Sequence, residues 1–413
     1  MRCVLLACGL LLLGTAAGRA QYPDKQAFEV IEHGRYMTAA ADCTACHTAP
    51  GGEPFAGGGA LETPFGILLA PNITPDLTTG IGGWTDAEFI NAVQNGIGRR
   101  GDHLYPAMPY TYYTKMTRED VIAIRAYLDT VQPVRNEVHS NQLPFPFNQR
   151  EAMIGWNALY FRPGEFKPDP GKPAEWNRGA YLVEGAEHCG LCHTPKNAMG
   201  GDENGRAMQG SVLQNWYAPD ITGNQRVGIG DWTVDDIALY LKTGRNSYDI
   251  GSGPMADAIT HSTSHLTDAD LRAMAVYLKD LPPGGSETTQ PVSAQDPAMQ
   301  RGQAIYNNRC AACHTGAGLG IVGLFPRLAG APLVQQSQAT SLIRVVLEGS
   351  RAVATDGAPT GPAMPSFAWE LSDADVTAVV TYIRNAWGNA APAVSAGDVG
   401  KMRQTLHGPA QAP

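Results

Sequence analysis

The sequence predicts a mostly α-helical protein built from three similar units in tandem. One five-residue pattern, Cys-x-x-Cys-His, occurs three times, at residues 43–47, 189–193 and 310–314. Each copy follows a segment with helical periodicity and precedes a Gly/Pro-rich stretch that leads into a second periodic segment. Such self-similarity is typical of repeated structural units. A chain of 413 residues is also long enough for three small domains.

Each unit is predicted to have an opening and a closing helix. The opening helices cover residues 26–41, 175–187 and 298–309, and the closing helices cover 118–130, 268–280 and 372–387. Apolar residues recur at spacings of three and four in the closing helices, so one face of each is expected to be buried. Thr117, Thr267 and Ser372 precede these helices and are favourable N-cap residues.

Composition changes along the chain predict the domain boundaries. The predicted segments are a signal peptide at 1–20, domain 1 at 21–137, a connector at 138–173, domain 2 at 174–284, a linker at 285–297, domain 3 at 298–390 and a flexible tail at 391–413. The connector is rich in proline and aromatic residues, whereas a free tether would be polar. We therefore expect the connector to pack across the domain interface or against a partner.

The repeated pattern is the attachment sequence of a c-type haem. On a helix, residues three and four apart share a face, so both cysteines and the histidine can face one porphyrin. Zinc sites and thiol redox pairs also use Cys-x-x-Cys, but neither accounts for the following histidine. The sequence therefore predicts three covalently bound haem c groups. Their attachment residues would be Cys43, Cys46, Cys189, Cys192, Cys310 and Cys313, six of the eight cysteines in the chain.

The first 20 residues have the features of a secretory signal peptide. Arg2 precedes an apolar run at 4–13, and small residues follow at 14–20. An uncleaved membrane anchor is the alternative, although the run is short for a bilayer span. Because c-type haem is attached outside the bacterial cytoplasmic membrane, export agrees with the haem motifs. We expect a periplasmic protein whose membrane contact is peripheral.

Charge and motif content restrict the other function classes. The chain has 39 acidic and 30 basic residues, and this acidic balance argues against nucleic acid as a partner. We recognise no Ser-His-Asp arrangement, phosphate-binding loop, or flavin or nicotinamide fingerprint. No substrate-oxidising site is therefore expected in this chain.

The second axial ligand of each haem iron decides what the iron can do, because a methionine there gives an electron carrier and an open position gives room for substrate. Each unit has a methionine beside a proline before its closing helix. A methionine is usually a core filler, but three at the same place in three units are predicted to be ligands. The flanking prolines are expected to hold each segment extended. The predicted axial pairs are His47 with Met108, His193 with Met255, and His314 with Met364.

Several neighbouring residues have more than one interpretation. In the second unit the alternative ligands are His261, His265, Met199 and Met208. Trp84 and Trp232 are candidates to donate hydrogen bonds to haem propionates, or they are core residues. The carbonyl of Pro326 is expected to accept a hydrogen bond from the second ring nitrogen of His314.

These residues resemble a known family. The third unit is similar to a class I cytochrome c, on the 310–314 motif, the Phe-Pro-x-Leu-Ala-Gly segment at 325–330 and Met364. The chain from about 24 to 390 resembles the triheme cytochrome c subunit of membrane-bound bacterial alcohol, gluconate, fructose/sorbitol and aldehyde dehydrogenases. The segments that carry this resemblance are Asn-Ile-Thr-Pro-Asp at 72–76, Tyr-Pro-Ala-Met-Pro-Tyr at 105–110, Leu-Pro-Phe-Pro-Phe-Asn at 143–148 and Gly-Trp-Asn-x-Leu-Tyr-Phe at 155–161.

The resemblance implies a fold and a set of partners. It implies three tandem class I cytochrome c-like domains, each wrapped around one covalently attached haem. It also implies an electron path from a large catalytic dehydrogenase subunit, with a flavin, pyrroloquinoline quinone or molybdenum cofactor, to ubiquinone in the membrane. Such a complex can include a small third subunit, and it would lie at the membrane surface on the periplasmic side. The alternatives are a free-standing periplasmic multihaem carrier and a haem peroxidase-like enzyme.

Overall fold

The computed structural model describes residues 24–138, 141–285 and 289–407. The predicted signal peptide and the last six residues of the predicted tail lie outside these ranges. The described chain is mostly helical, with three short two-stranded antiparallel sheets, which confirms the predicted fold class. None of the helices in these ranges is both long and apolar enough to cross a membrane.

The first unit and the connector contain six helices and one sheet among the described residues. The elements are α1 (Phe28–Ala40), α2 (Cys43–His47), β1 (Ala60–Thr63), β2 (Gly66–Leu69), α3 (Asp86–Asn95), α4 (Tyr110–Tyr113), α5 (Arg118–Leu128) and, in the connector, α6 (Ala152–Tyr160). Residue Ala60 pairs with Leu69 in the sheet.

The second unit repeats this order. Its elements are α7 (Ala174–Tyr181), α8 (Cys189–His193), β3 (Gln209–Leu213), β4 (Trp216–Asp220), α9 (Val234–Thr243), α10 (Pro254–His261) and α11 (Asp268–Asp280). The predicted opening helix at 175–187 is divided, because a π-helical turn at Leu182–Ala186 follows α7.

The third unit has a shorter sheet and an additional helix. Its elements are α12 (Pro297–Arg309), α13 (Ala311–His314), α14 (Pro332–Gln335), α15 (Thr340–Glu348), β5 (Ser350–Arg351), β6 (Ala363–Met364), α16 (Asp373–Ile383) and α17 (Ala396–His407).

The opening and closing helices cross in the same way in all three units. A glycine on each opening helix faces a backbone carbonyl of the closing helix, and a Cβ there would clash. The Cβ-to-oxygen distances would be 1.8 Å for Gly34 to Ala123, 1.9 Å for Gly179 to Ala273 and 2.2 Å for Gly302 to Ala378. Each crossing therefore depends on a residue without a side chain.

The closing helices begin where the sequence predicts. The side chains of Thr117, Thr267 and Ser372 each accept a hydrogen bond from the backbone N–H three residues later, at 3.2 Å. This contact satisfies one of the free N–H groups at each helix start. The three predicted N-caps are confirmed.

The hydrophobic cores are not distributed as three equal domains. Buried side chains of the first two units form one continuous cluster, which includes Met37, Ile122 and Met274. The third unit has its own cluster around Tyr306 and Val379. The buried side chains of the first two units are therefore continuous with each other, whereas those of the third unit form a separate cluster.

The connector packs across the first two units, as predicted. The indole Nε1 of Trp156 donates to the carbonyl of Met199 in the second unit at 2.9 Å. The adjacent Asn157 accepts a hydrogen bond from the hydroxyl of Tyr110 in the first unit at 2.7 Å. One helix of the connector, α6, thus contacts both units.

The structure differs from the sequence prediction in the tail. The Ala/Gly/Pro composition predicts a flexible segment over 391–413, but residues 396–407 form α17, which packs on α15 and α16. Val399 and Met402 on α17 are buried. Arg403 donates to Asp373 at 2.7 Å and to the carbonyl of Leu371 at 2.8 Å. These tertiary contacts outweigh the weak helix propensity of the segment.

Candidate functional site

The Cys-x-x-Cys-His patterns form the short helices α2, α8 and α13. In the first two units the residue before the motif is left-handed, with φ of 48° at Asp42 and 38° at His188. This turns the chain sharply, so the motif starts a new helix rather than continuing the opening helix. The cysteines of the three motifs are unpaired. Burial raises the pKa of Cys43 to about 12, whereas thiols in redox pairs have depressed pKa values.

The motif histidines are oriented by the same contact in all three units. Each Nδ1 lies within hydrogen-bond distance of a proline carbonyl oxygen. The distances are 2.7 Å for His47 to Pro71, 2.7 Å for His193 to Pro219 and 2.9 Å for His314 to Pro326. Because a carbonyl only accepts, Nδ1 carries the proton in each histidine, and Nε2 keeps a lone pair for a metal.

The protonation of these histidines suits metal ligation. Burial lowers the pKa of His47, His193 and His314, which favours the neutral ring that binds iron. The predicted contact of Pro326 is confirmed. The corresponding contacts of Pro71 and Pro219 were not predicted from the sequence, although each proline stands directly before a repeated segment, Asn-Ile-Thr or Asp-Ile-Thr.

The predicted methionine ligands lie in three different local structures. Met108 closes a turn, where its N–H donates to the carbonyl of Tyr105 at 3.0 Å. Met255 lies in the first turn of α10, which Pro254 begins, and Met364 lies on β6. The prediction of extended segments is therefore wrong for Met255, because proline at the first helical position initiates a helix. It is also wrong for Met108, whose segment forms a turn.

One cavity of about 2370 Å³ brings the predicted sites of the first two units together. The motif helices α2 and α8 line it, and so do Met108 and Met255. The third motif and Met364 are not part of this cavity, which reaches the third unit at Pro332 and Ser341. The structure thus joins the first two predicted haem sites.

The first two units contact each other crosswise at this cavity. Helix α10, which carries Met255, packs on α2 of the first unit. The methionine segment of the first unit makes the corresponding contact with the second. Tyr112, which follows the Met108 turn, packs against Gly190 of α8, where an added Cβ would lie 2.9 Å from the tyrosine ring. Each methionine segment therefore packs against the motif helix of the other unit.

An unpartnered donor in the cavity fits a bound porphyrin. Trp232 is buried, and its Nε1 has no hydrogen-bond partner in the described residues. Buried donors normally have an acceptor, and a haem propionate would supply one here. Trp84 lines the same cavity. Across the described ranges, no group of three His, Cys, Asp or Glu side chains is arranged to hold a metal ion by itself.

The alternative ligands of the second unit occupy different environments. His265 is exposed, and its Nε2 lies 3.0 Å from the carbonyl of Thr260. Met208 is buried in the shared core, and the side chain of Met199 is 54% exposed. His261 and Met199 line the cavity together with Met255, so these three residues remain the candidates for that position.

The three helical units, their Cys-x-x-Cys-His helices and the oriented histidines define a c-type cytochrome. The family model described as Cytochrome c matches residues 31–132 and 299–387. The chain is 40% identical to the alcohol dehydrogenase (quinone), cytochrome c subunit of Gluconacetobacter polyoxogenes, over 96% of this chain and 88% of that protein. It is 38% identical to the gluconate 2-dehydrogenase cytochrome c subunit of Pantoea cypripedii, over 95% and 94% of the two chains.

A third relative is the fructose dehydrogenase cytochrome subunit of Gluconobacter japonicus, 36% identical over 90% of this chain and 82% of its own length. The chain belongs to the family of cytochrome c subunits of bacterial alcohol, gluconate and fructose dehydrogenases. It is accordingly an electron-transfer protein with covalently bound haem c.

Proposed function

We propose that this protein is the electron-transfer subunit of a periplasmic dehydrogenase complex and carries three haem c groups. It passes electrons from a catalytic subunit to ubiquinone in the membrane. The observation that carries this proposal is the proline carbonyl contact repeated at His47, His193 and His314. A histidine held with Nε2 free beside two cysteines is what attachment and ligation of one haem require.

The axial pairs in this proposal are His47/Met108, His193/Met255 and His314/Met364. A haem with both axial positions filled supplies reversible one-electron transfer. Saturated coordination also excludes substrate from the iron, so oxidation of the substrate belongs to the partner subunit. The relatives are named as cytochrome subunits of alcohol, gluconate and fructose dehydrogenases.

The three sites act in series with the second in the middle. The second unit shares its cavity with the first. It also contacts the third, because the backbone N–H of Tyr217 donates to Ser341 at 2.7 Å and Arg344 donates to the carbonyl of Gln214 at 3.0 Å. Electrons moving between the first and third haems would therefore cross the second.

Two observations support transfer of electrons to ubiquinone and a periplasmic location. The names of several relatives include the word quinone, as for alcohol dehydrogenase (quinone). Residues 1–20 have signal-peptide features, and these favour export. We place the protein in the periplasm, peripherally attached to the outer face of the cytoplasmic membrane.

The haem content and coordination can be tested on the full chain exported with c-type haem maturation. Intact mass should show three covalent haems, and replacing Cys43 and Cys46 with alanine should remove one of them. The oxidised protein should show the thioether–iron band, and the chemically reduced protein should not bind carbon monoxide. High-spin iron at every haem would contradict the proposal and favour a peroxidase-like enzyme.

The partner can be tested by expressing the chain together with a large catalytic dehydrogenase subunit from the same organism. The two should co-purify, and a soluble ubiquinone analogue should be reduced only when both are present. Reduction of artificial dyes by the catalytic subunit alone serves as the control. A chain that purifies alone and accepts electrons only from soluble donors would instead be a free-standing carrier.

A further inference from the structure

Arg245 of the second unit reaches into the third unit. It follows Gly244, the left-handed residue with φ of 74° that ends α9. The two units approach closely at this point, since a Cβ on Gly244 would lie 1.9 Å from Cγ1 of Val353. From this point of contact the guanidinium of Arg245 donates hydrogen bonds to four backbone carbonyls of the third unit. They belong to Gly323, Val353, Ala358 and Thr360.

One of these carbonyls lies on the histidine side of the third site. Nη1 of Arg245 donates to the carbonyl of Gly323 at 3.0 Å. The same loop leads within three residues to Pro326, whose carbonyl lies 2.9 Å from Nδ1 of His314. Arg245 therefore holds the loop that orients this histidine.

The other carbonyls lie on the methionine side. Strands β5 and β6 pair Ser350 with Met364 and form a hairpin. Nη2 of the same guanidinium donates to Val353 at 3.1 Å and to Ala358 at 3.2 Å, and also to Thr360, all between the two strands. One planar group thus bonds both limbs of the hairpin that ends at Met364.

We propose that Arg245 is a positioning residue for the third haem, because one guanidinium holds both the loop behind His314 and the hairpin that presents Met364. This inference rests on the proposed His314/Met364 ligation. The planar fork of arginine can bridge several carbonyls, whereas lysine offers a single point charge. Its four acceptors are neutral carbonyls, so the positive charge is kept near the site and favours the reduced iron.

The test uses the exported full chain with its haems attached, as wild type, R245Q and R245K. R245Q should lose about one third of the thioether–iron band, because one of three Met–iron bonds weakens. One midpoint potential should fall and the other two should stay unchanged. R245K should recover part of the potential through its charge but not the band, since it cannot bridge the two segments. An unchanged band in both variants would overturn the inference.

Arg344 provides the matched control. It also lies at the interface between the second and third units, but its guanidinium donates to the carbonyl of Gln214 at 3.0 Å and to Glu348 at 2.9 Å rather than to the acceptors of Arg245. R344Q should therefore keep the full band. An equal loss in R245Q and R344Q would point to general loosening of the interface and would refute a positioning role.

Combining R245Q with M364A identifies the haem that R245Q affects. When M364A has already removed the third thioether ligand, adding R245Q should cause no further loss of the band. A further loss would place the effect at another haem and contradict the inference. A wild-type protein without any thioether–iron band would remove the proposed ligation and this inference together, whereas a normal band with an unaffected R245Q would remove only the inference.

Discussion

The hydroxyl of Tyr36 in the first unit donates a hydrogen bond to Oδ2 of Asp270 in the second, at 2.6 Å. The corresponding residue of the second unit, Tyr181, donates to Asp120 of the first. Each hydroxyl also accepts the N–H of the N-cap threonine on the same partner helix, at 3.2 and 3.0 Å. The first two units are therefore joined by a reciprocal contact, like two copies in a symmetric dimer.

Removing either tyrosine hydroxyl should weaken the contact between the first two units. We expect Y36F and Y181F each to lower the free energy of unfolding by about 1.5–3 kcal/mol, the range for hydrogen bonds to charged groups. Denaturant unfolding of the haem-loaded protein measures this. Y160F is the control, because the hydroxyl of Tyr160 donates to the neutral sulfur of Met199 at 3.6 Å rather than to a carboxylate. Equal stability of Y36F and Y160F would show that the hydrogen bond of Tyr36 to Asp270 does not contribute to the free energy of unfolding.

The contact between the first two units should also make the stability of the protein depend on pH. Nε2 of His33 lies 2.5 Å from Asp120, and this hydrogen bond raises the pKa of His33 above its usual 6.5. A raised folded-state pKa gives stability that is complete below the unfolded pKa and is lost as pH rises through the folded one. The free energy of unfolding should therefore fall as pH rises through the neutral range.

The second unit supplies the matched variant for this prediction. Arg178 takes the place of His33 there and donates to both oxygens of Asp270, at 2.8 and 2.7 Å. Because arginine does not titrate in this range, H33R should keep the low-pH stability and remove the decline. A decline that persists unchanged in H33R would assign the pH dependence to other groups.

The helix crossings should be intolerant of a methyl group. G302A would place a Cβ 2.2 Å from the carbonyl oxygen of Ala378, and overpacking of this kind costs about 1–3 kcal/mol or more. G155A on α6 has nothing within 4 Å, so it should stabilise the protein by roughly 0.5–1 kcal/mol through helix propensity. Thermal unfolding of the two variants should shift in opposite directions, and a neutral G302A would contradict the close approach.

Single substitutions should distinguish the methionine ligands from the alternative ligand His261. M108A, M255A and M364A should each remove about one third of the thioether–iron band and open one carbon monoxide site. H261A should change neither readout. If M255A leaves the spectrum unaltered while H261A opens a site, His261 is the ligand in the second unit.

Local chemistry explains what the sequence alone determined. The three Cys-x-x-Cys-His motifs, the N-caps at Thr117 and Ser372 and the closing helices all depend on residues within one or two helical turns, so spacing and residue type were sufficient. The contact of Pro326 with His314 spans 12 residues and was also predictable. The first two units could be recognised as related because they repeat the same short segments.

The tertiary structure decided how these pieces are combined. Tyr36 and Asp270 are 234 residues apart, and no local pattern indicates that the first two units share a core and a cavity. The helix α17 and the placement of Arg245 beside both ligand segments likewise depend on long-range packing. Hydrophobic burial and close packing act between segments distant in the chain, so the pairing of units, unlike the chemistry within each, required the folded structure.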